Sequence, residues 1–326
     1  MTSKINVLQV IPKLGYGGAE TGCYDIAHYL AEKDCGSFIA TSGGELLKFV
    51  KKNKVGIFRI PVHSKNPILI ILNAFLLSFI ILIKKINIVH ARSRAPAWSC
   101  YLACILTNVN FVTTFHGTYN FKSKIKKFYN SIMLKSELTI AGSNFIFDHI
   151  HTNYSNYISK DKKLLVIFRG INTDYYNTSK VPEEKVDKFN STLKLDIHTF
   201  KILLPGRLTK WKGQEMFLEA LSLLKTKYYK TNFKGIIVGS HQGRKVFFKK
   251  LISMVDQFRL KENIIFLGLC EEMPVAYKSA DVVVSSSIEP EAFGRVAVEA
   301  QAMQKPILAS DLGGSKETII NGKSGF

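Results

Sequence analysis

Residues 281–310 read DVVVSSSIEPEAFGRVAVEAQAMQKPILAS. An apolar run, Val282–Val284, leads into a serine- and glutamate-bearing loop over residues 285–290. A helical pattern follows from Arg295 to Met303, and a second apolar run, PILAS, closes the stretch. Strand, helix and strand in so short a span predict a parallel pair joined by a crossover helix. Gly294 stands where that helix should begin, with Glu291 just before it and Glu299 in its second turn. A helix start offers unpaired N–H groups and a positive dipole end, suited to oxygen-rich or anionic ligands. A capped surface helix with two solvated glutamates fits the same residues, and this stretch alone leaves both readings open.

The same alternation runs outward to both ends of the chain. Strand candidates in the first half are NVLQVI, SFIAT, GIFRI, NIVHA, FVTTFH, LTIAG and LLVIF; in the second they are KILLPG, GIIVG, NIIFLG, DVVVSS and PILAS. Helical patterns such as AETGCYDIAHYLAEK and GQEMFLEALSLLKTK separate most of them. This pattern predicts an α/β protein with parallel sheets flanked by helices. A polar stretch over residues 177–192, NTSKVPEEKVDKFNST, interrupts it and reads as a linker or peripheral helix. Two Rossmann-like domains are therefore expected, 1–176 and 177–326, facing each other across a ligand-binding cleft at the carboxyl ends of their strands. At 326 residues and 46% hydrophobic, the chain can bury a core in each.

Forty-five basic against 25 acidic residues give a formal charge of +20. That excess suits phosphate-bearing substrates, an anionic membrane surface or nucleic acid, without separating them. Five cysteines without CxxC spacing read as reduced core residues of a cytoplasmic protein. The amino terminus has too short an apolar stretch for a signal peptide before it turns glycine-rich. Residues 68–83 are interrupted only by Asn73 and Ser78. As a helix they would extend roughly 24 Å, short of the about 30 Å hydrocarbon core of a bilayer. A buried helix feeding the strand Ile86–Val89 is the expectation.

Three further motifs bear chemistry. KLGYGGAETG places Gly17 and Gly18 before a helix, where backbone N–H groups can approach a phosphate. It fails as a dinucleotide fingerprint, because Glu20 takes the third glycine's place and no acidic residue ends the second strand. A tight strand-to-helix turn is the plain alternative. GRLTKWKG sets Arg207 and Lys212 in a loop after a strand, able to neutralise a diphosphate or merely to be solvated. His116 ends the strand FVTTFH beside Gly117, as a ligand contact or as a structural histidine.

Together GGAE, the HG pair, GRLTKWKG, the VGS strand end, EPEAFGRVAVEA and GGSKETI resemble the retaining nucleotide-sugar glycosyltransferases of family 4, which have the GT-B fold. The likeness covers nearly the whole chain, and the E-x7-E spacing of Glu291 and Glu299 is its most specific part. It implies an enzyme in which Glu299 holds the ribose of a nucleotide-sugar donor and Glu291 binds hydroxyls of the donor sugar. Phe293, Gly294 and Arg295 would lend local or backbone contacts. Arg207 and Lys212 would grip the diphosphate, Gly17 and Gly18 would approach it from the first domain, and His116 would lie near the transferred sugar. The resemblance also implies retention by a front-face route and no cofactor. No D-x-D occurs, in keeping with a metal-independent enzyme in which Arg207 and Lys212 do a cation's work.

Arg169, in FRGINTDYY, departs from the Pro-Asn-Gly turn of many members. On the acceptor side, NFKSKIKKFYNSIMLK sets Ile125, Phe128, Tyr129, Ile132 and Met133 at helical spacing among Lys122, Lys124, Lys126, Lys127 and Lys135. It reads either as a basic amphipathic helix lying on an anionic membrane or as a core-facing helix with solvated lysines. With the net charge, it favours a lipid-linked or lipopolysaccharide-type glycan acceptor and a place at the inner face of the cytoplasmic membrane. Family members usually continue beyond GGSKETIINGKSGF, so a second domain lacking its closing helices, with Phe326 beside its sheet, is expected. The alternatives are a truncated, weakly active or inactive member, or a basic nucleic-acid-binding protein. The second lacks any recognisable interleaving of aromatic and basic residues.

Overall fold

A computed structural model describes residues 4–119, 121–228 and 231–326; Met1–Ser3, which belong to the amino-terminal stretch read above, lie outside them. The chain forms two compact units, Met1–Gly170 and Ile171–Phe326. All twelve runs read as strands form strands.

In the first unit these are β1 (Asn6–Val10), β2 (Gly36–Thr41), β3 (Gly56–Arg59), β4 (Ile88–Ala91), β5 (Asn110–Phe115), β6 (Leu138–Ala141) and β7 (Lys163–Val166). They make one parallel sheet in the order β3-β2-β1-β4-β5-β6-β7. Its helices are α1 (Gly18–Glu32), α2 (Pro67–Ile83), α3 (Arg94–Thr107), α4 (Lys124–Ser131) and α5 (Asn144–Tyr154). The order reverses between β1 and β4, the kind of position where open α/β sheets bind ligands. Buried Gln9 of β1 locks this region: its amide donates to the Cys23 carbonyl of α1 at 3.0 Å and accepts from Arg92, just past β4, at 2.8 Å.

The second unit carries β8 (Phe200–Pro205), β9 (Phe233–Val238), β10 (Ile264–Gly268), β11 (Val282–Ser285) and β12 (Ile307–Ala309), parallel in the order β10-β9-β8-β11-β12. Its helices are α6 (Glu183–Thr192), α7 (Gln214–Lys227), α8 (Lys245–Gln257), α9 (Met273–Ser279) and α10 (Arg295–Ala302). The strand period of two splits its core cleanly. Ile202, Leu204 and Ile237 join one cluster with Phe217, Leu221 and Leu251, while Leu203, Ile236 and Val238 join the other with Tyr277, Ala300 and Met303. Sheets apolar on both faces need helices on both.

Two expectations need correcting. The units divide at Gly170–Ile171, before the expected boundary, because residues 171–176 pack into the second unit. Tyr176 sits edge-on to Tyr277, ring centroids 5.9 Å apart, and Ile171 lies against the same cluster. The apolar run after residue 66 is indeed helical, capped by the Asn66 side chain accepting from Ile68 N at 2.9 Å. It is not buried, however. Asn73, Ala74, Leu77, Ile80 and Ile81 are covered, and the opposite stripe faces solvent. No helix among the described residues is long and apolar enough to cross a membrane.

The basic segment after His116 divides. Ile132 and Met133 are buried, Phe128 and Tyr129 lie against Trp98 of α3, and Ile125 is 81% exposed among lysines. Of the cysteines, Cys23, Cys100 and Cys104 are buried, and Cys35 and Cys270 half-buried; all are free. Phe326 lies along β12, its N–H donating to Ile307 O and its carbonyl accepting from Ala309 N.

Candidate functional site

In the second unit, the loops leaving β8 and β11 are tied together before either reaches its helix. Ile288 N donates to Trp211 O at 2.8 Å, and the Ser286 hydroxyl donates to Gly213 O at 3.0 Å. Gly213, with φ +71°, caps α7 so close to the Ser286 carbonyl that any Cβ there would collide with it. Gly294, with φ +88°, caps α10 with Ser315 at its back. A side chain at Gly213 would force the two loops apart, and one at Gly294 would press on Ser315 and Thr318.

This tying sets Lys212 against Glu291, 79 residues on. The ammonium is in ion-pair contact with Glu291 Oε1, which also accepts from the Ser287 hydroxyl at 2.5 Å. The side chains are 15% and 13% exposed, so the pair is largely out of water. Lys212 also stands 4.4 Å from the centre of the Trp211 ring. Glu291 is held from behind by the glycine pair of GGSKETI, its carbonyl accepting from Gly314 N at 2.7 Å. Arg207 follows β8 in the same unit. Its carbonyl accepts from Gln214 at 2.9 Å, while its half-exposed guanidinium has no ion-pair partner among the described residues.

Glu299 is placed differently. It is 8% exposed, with one oxygen taken by Arg295 Nε at 3.1 Å and the other by the Tyr277 hydroxyl at 2.8 Å. Burial, reinforced by the Glu299 charge, pushes the Tyr277 and Tyr176 hydroxyls well above the ordinary tyrosine range. Each carboxylate oxygen can accept a further hydrogen bond. Phe293 is buried, leaving its backbone as the part able to meet a ligand. The structure thus pairs Lys212 with Glu291 and Arg295 with Glu299.

The first unit presents its own cluster at the carboxyl ends of β4, β5 and β7. Gly17 and Gly18 stand at the N-terminus of α1, and the Glu20 carboxylate folds back over Gly17. His116 Nδ1 accepts from the Arg169 guanidinium, so the neutral ring carries its proton on Nε2. That Nε2 is buried without a hydrogen-bond partner among the described residues. Burial first, then Arg169, Arg92 and His90, hold the His116 pKa well below its usual value. Neutral His90 is explained in the same way, by burial and Arg92, and it bonds Thr114 at 2.7 Å.

Sequence reasoning missed Tyr277, Ser287 and Arg92. Only the serine run before Glu291 offered a local signal, and Arg169 was visible solely as a departure. No group of three or more His, Cys, Asp and Glu side chains among the described residues is placed to hold a metal ion.

Residues 16–175 match the model described as Glycosyltransferase Family 4, and residues 187–326 match Glycosyl transferases group 1. A glycosyltransferase from Rickettsia africae, known from its crystal structure, is 40% identical with a TM-score of 0.86, covering 99% of this chain and 84% of that one. An uncharacterised glycosyltransferase of Methanocaldococcus jannaschii is 34% identical over 167 residues, 50% of this chain and 40% of its own. The chain spans less than half the length of that curated relative. The Anabaena protein HepE, solved in complex with UDP and glucose, shares the fold at 22% identity and a TM-score of 0.81, covering 99% of this chain and 85% of its own. The two parallel sheets are those of the GT-B fold. With both halves matched and a 40%-identical relative aligned over most of its length, the chain belongs to the family 4 type of glycosyltransferases.

Proposed function

We propose that this protein transfers a sugar from a nucleotide-sugar donor to a hydroxyl of a glycan on a lipid carrier, with retention and without a metal ion. The Lys212–Glu291–Ser287 cluster carries this reading, with Arg207 on the same loop as Lys212. A cation and a carboxylate are fixed at the carboxyl ends of β8 and β11, with a second cation, Arg207, on the β8 loop, where a phosphate and a polyol can be bound by one set of loops.

The acceptor oxygen forms its bond to the anomeric carbon on the face that the diphosphate leaves. The carbon–oxygen bond to the leaving phosphate breaks with its electron pair, and the acceptor proton passes to a phosphate oxygen. Arg207 and Lys212 meet the charge that develops on the departing nucleoside diphosphate, doing electrostatically what a divalent cation does elsewhere. As phosphate approaches, Lys212 exchanges part of its contact with Glu291, whose carboxylate turns to the sugar hydroxyls. Glu299, held in place by Arg295 and Tyr277, takes the ribose. Backbone N–H groups at Phe293 and Gly294 donate to oxygens of the donor; in the first unit those of Gly17 and Gly18, and the Nε2 proton of His116, are donors suited to a phosphate or sugar oxygen.

The lysines of α4 and the overall charge support an acceptor held at an anionic membrane surface. Thermal shift with UDP-, GDP- and ADP-sugars tests donor binding, since a ligand of the native state stabilises it by mass action. The Anabaena protein has also been solved in complex with UDP-glucose, which makes that donor the first to try. No stabilisation by any of them would overturn the reading.

A further inference from the structure

Helix α2 is apolar all round, but the protein covers only half of it. Exposed large side chains recur at three- and four-residue spacing from Ile68 to Ile83, along the whole helix. Ile68, Phe75, Phe79 and Leu82 are 60–69% exposed. Beside them, Ile105 and Leu106 of α3 are each 60% exposed across a shallow apolar groove that Ile71 and Phe75 also line. A contiguous apolar face longer than a few hundred Å² is unusual on a soluble monomer and marks an interaction surface.

Charge chooses the occupant. Between Leu46 and Ser136 the chain has fifteen lysines and arginines and no aspartate or glutamate. The three lysines nearest the ends of α2, namely Lys65, Lys84 and Lys85, are exposed. A second copy would bring like charges together around this face, whereas an anionic bilayer meets both the apolar stripe and its cationic ends. At 17 residues the helix is about 25 Å long, and its covered stripe is fixed to the unit, so it lies along a surface rather than crossing it.

We propose that the uncovered face of α2, extended by Ile105 and Leu106 of α3, embeds in the interfacial layer of an anionic lipid bilayer, with Lys65, Lys84 and Lys85 on the headgroups. Interfacial helices bury their apolar face at the boundary of headgroup and acyl chain and hold to anionic lipid by flanking cations. This deepens the reading of a membrane-held acceptor, and the test separates the two: vesicles without donor or acceptor probe the surface, and donor binding in solution probes the transferase.

The full chain is sedimented with vesicles of phosphatidylcholine with and without phosphatidylglycerol. Wild type is expected to bind the anionic vesicles. Phe75→Ser/Phe79→Ser lowers that partition by about tenfold or more, because two large apolar side chains leave the lipid. Ile105→Ser/Leu106→Ser does the same from the second helix, so that loss in either variant with an unchanged melting curve supports the proposal. Lys84→Glu/Lys85→Glu weakens binding most at low salt and on anionic vesicles. Several results would overturn it: wild type left in the supernatant, or serine variants of both helices binding like wild type. So would binding abolished by Lys124→Glu/Lys126→Glu alone, which would make α4 the surface. A lipid-free dimer that Phe75→Ser/Phe79→Ser converts to monomer without changing vesicle binding would assign the face to a second copy.

Discussion

Removing one member of the Lys212–Glu291 pair should cost as much stability as removing both. Breaking a fully buried ion pair from one side costs about 3–5 kcal/mol, because the remaining charge is left in a poor solvent. Here the side chains retain 15% and 13% exposure, and each orphan keeps one contact: Glu291 the Ser287 hydroxyl, Lys212 the Trp211 ring. Both facts lower the figure, so Lys212→Met and Glu291→Gln should each cost about 2 kcal/mol. The double variant leaves no stranded charge and should also cost about 2 kcal/mol, giving a coupling near 2 kcal/mol. For a unit of this size each single change lowers the melting temperature by about 4–8 °C. Urea denaturation followed by Trp211 fluorescence, in a Trp98→Phe background, reports this unit alone, since the chain holds only these two tryptophans. If the double variant loses the sum of the singles, within about 0.5 kcal/mol, the two side chains do not act as a pair.

Four other outcomes follow. Glu299→Ala should weaken free-nucleotide binding, while Glu291→Ala should leave it nearly intact and weaken the sugar-bearing donor; calorimetric titration with both ligands that finds equal loss would refute the division. Arg207→Ala should lower turnover by about 10²–10³ with little change in folding, as removal of one preorganised charge-stabilising group does. Wild-type turnover should survive chelators, and strict dependence on added magnesium or manganese would refute the metal-free scheme. His90 and His116 are held neutral, so below about pH 6.5 the unfolded chain binds protons that the folded chain refuses. Stability of the first unit should then fall with acidity by up to about 1.4 kcal/mol per pH unit for each histidine. Arg169→Ala, by removing one cause of the His116 shift, should flatten that slope in urea melts read from Trp98.

What the sequence made legible was what is local along the chain. Short apolar runs alternating with helical patterns located all twelve strands, and the E-x7-E spacing lay within one loop and helix. The partners of those glutamates lie far off: Lys212 is 79 residues before Glu291, and Tyr277 is 22 before Glu299. No periodicity ties such positions; only the order β8-β11 in the sheet brings the two loops together. The same limit explains α2. Composition shows that Ile68–Ile83 avoid water, but which stripe the protein covers depends on where α3 packs, and the apolar pattern is alike on both faces.

Arg169 shows the reverse case, a local oddity whose sense is spatial. At the carboxyl end of β7, 53 residues from His116, an arginine in a glycine turn has no evident local purpose. Folded, it reaches the Nδ1 of His116 and so decides which ring nitrogen carries the proton. A neutral amide there would leave that choice to the surroundings, whereas a guanidinium can only donate. The departure from the family's turn therefore fixes, rather than removes, a hydrogen-bond donor: His116 Nε2 is kept protonated, without a partner among the described residues, beside cations that make protonating the whole ring unfavourable.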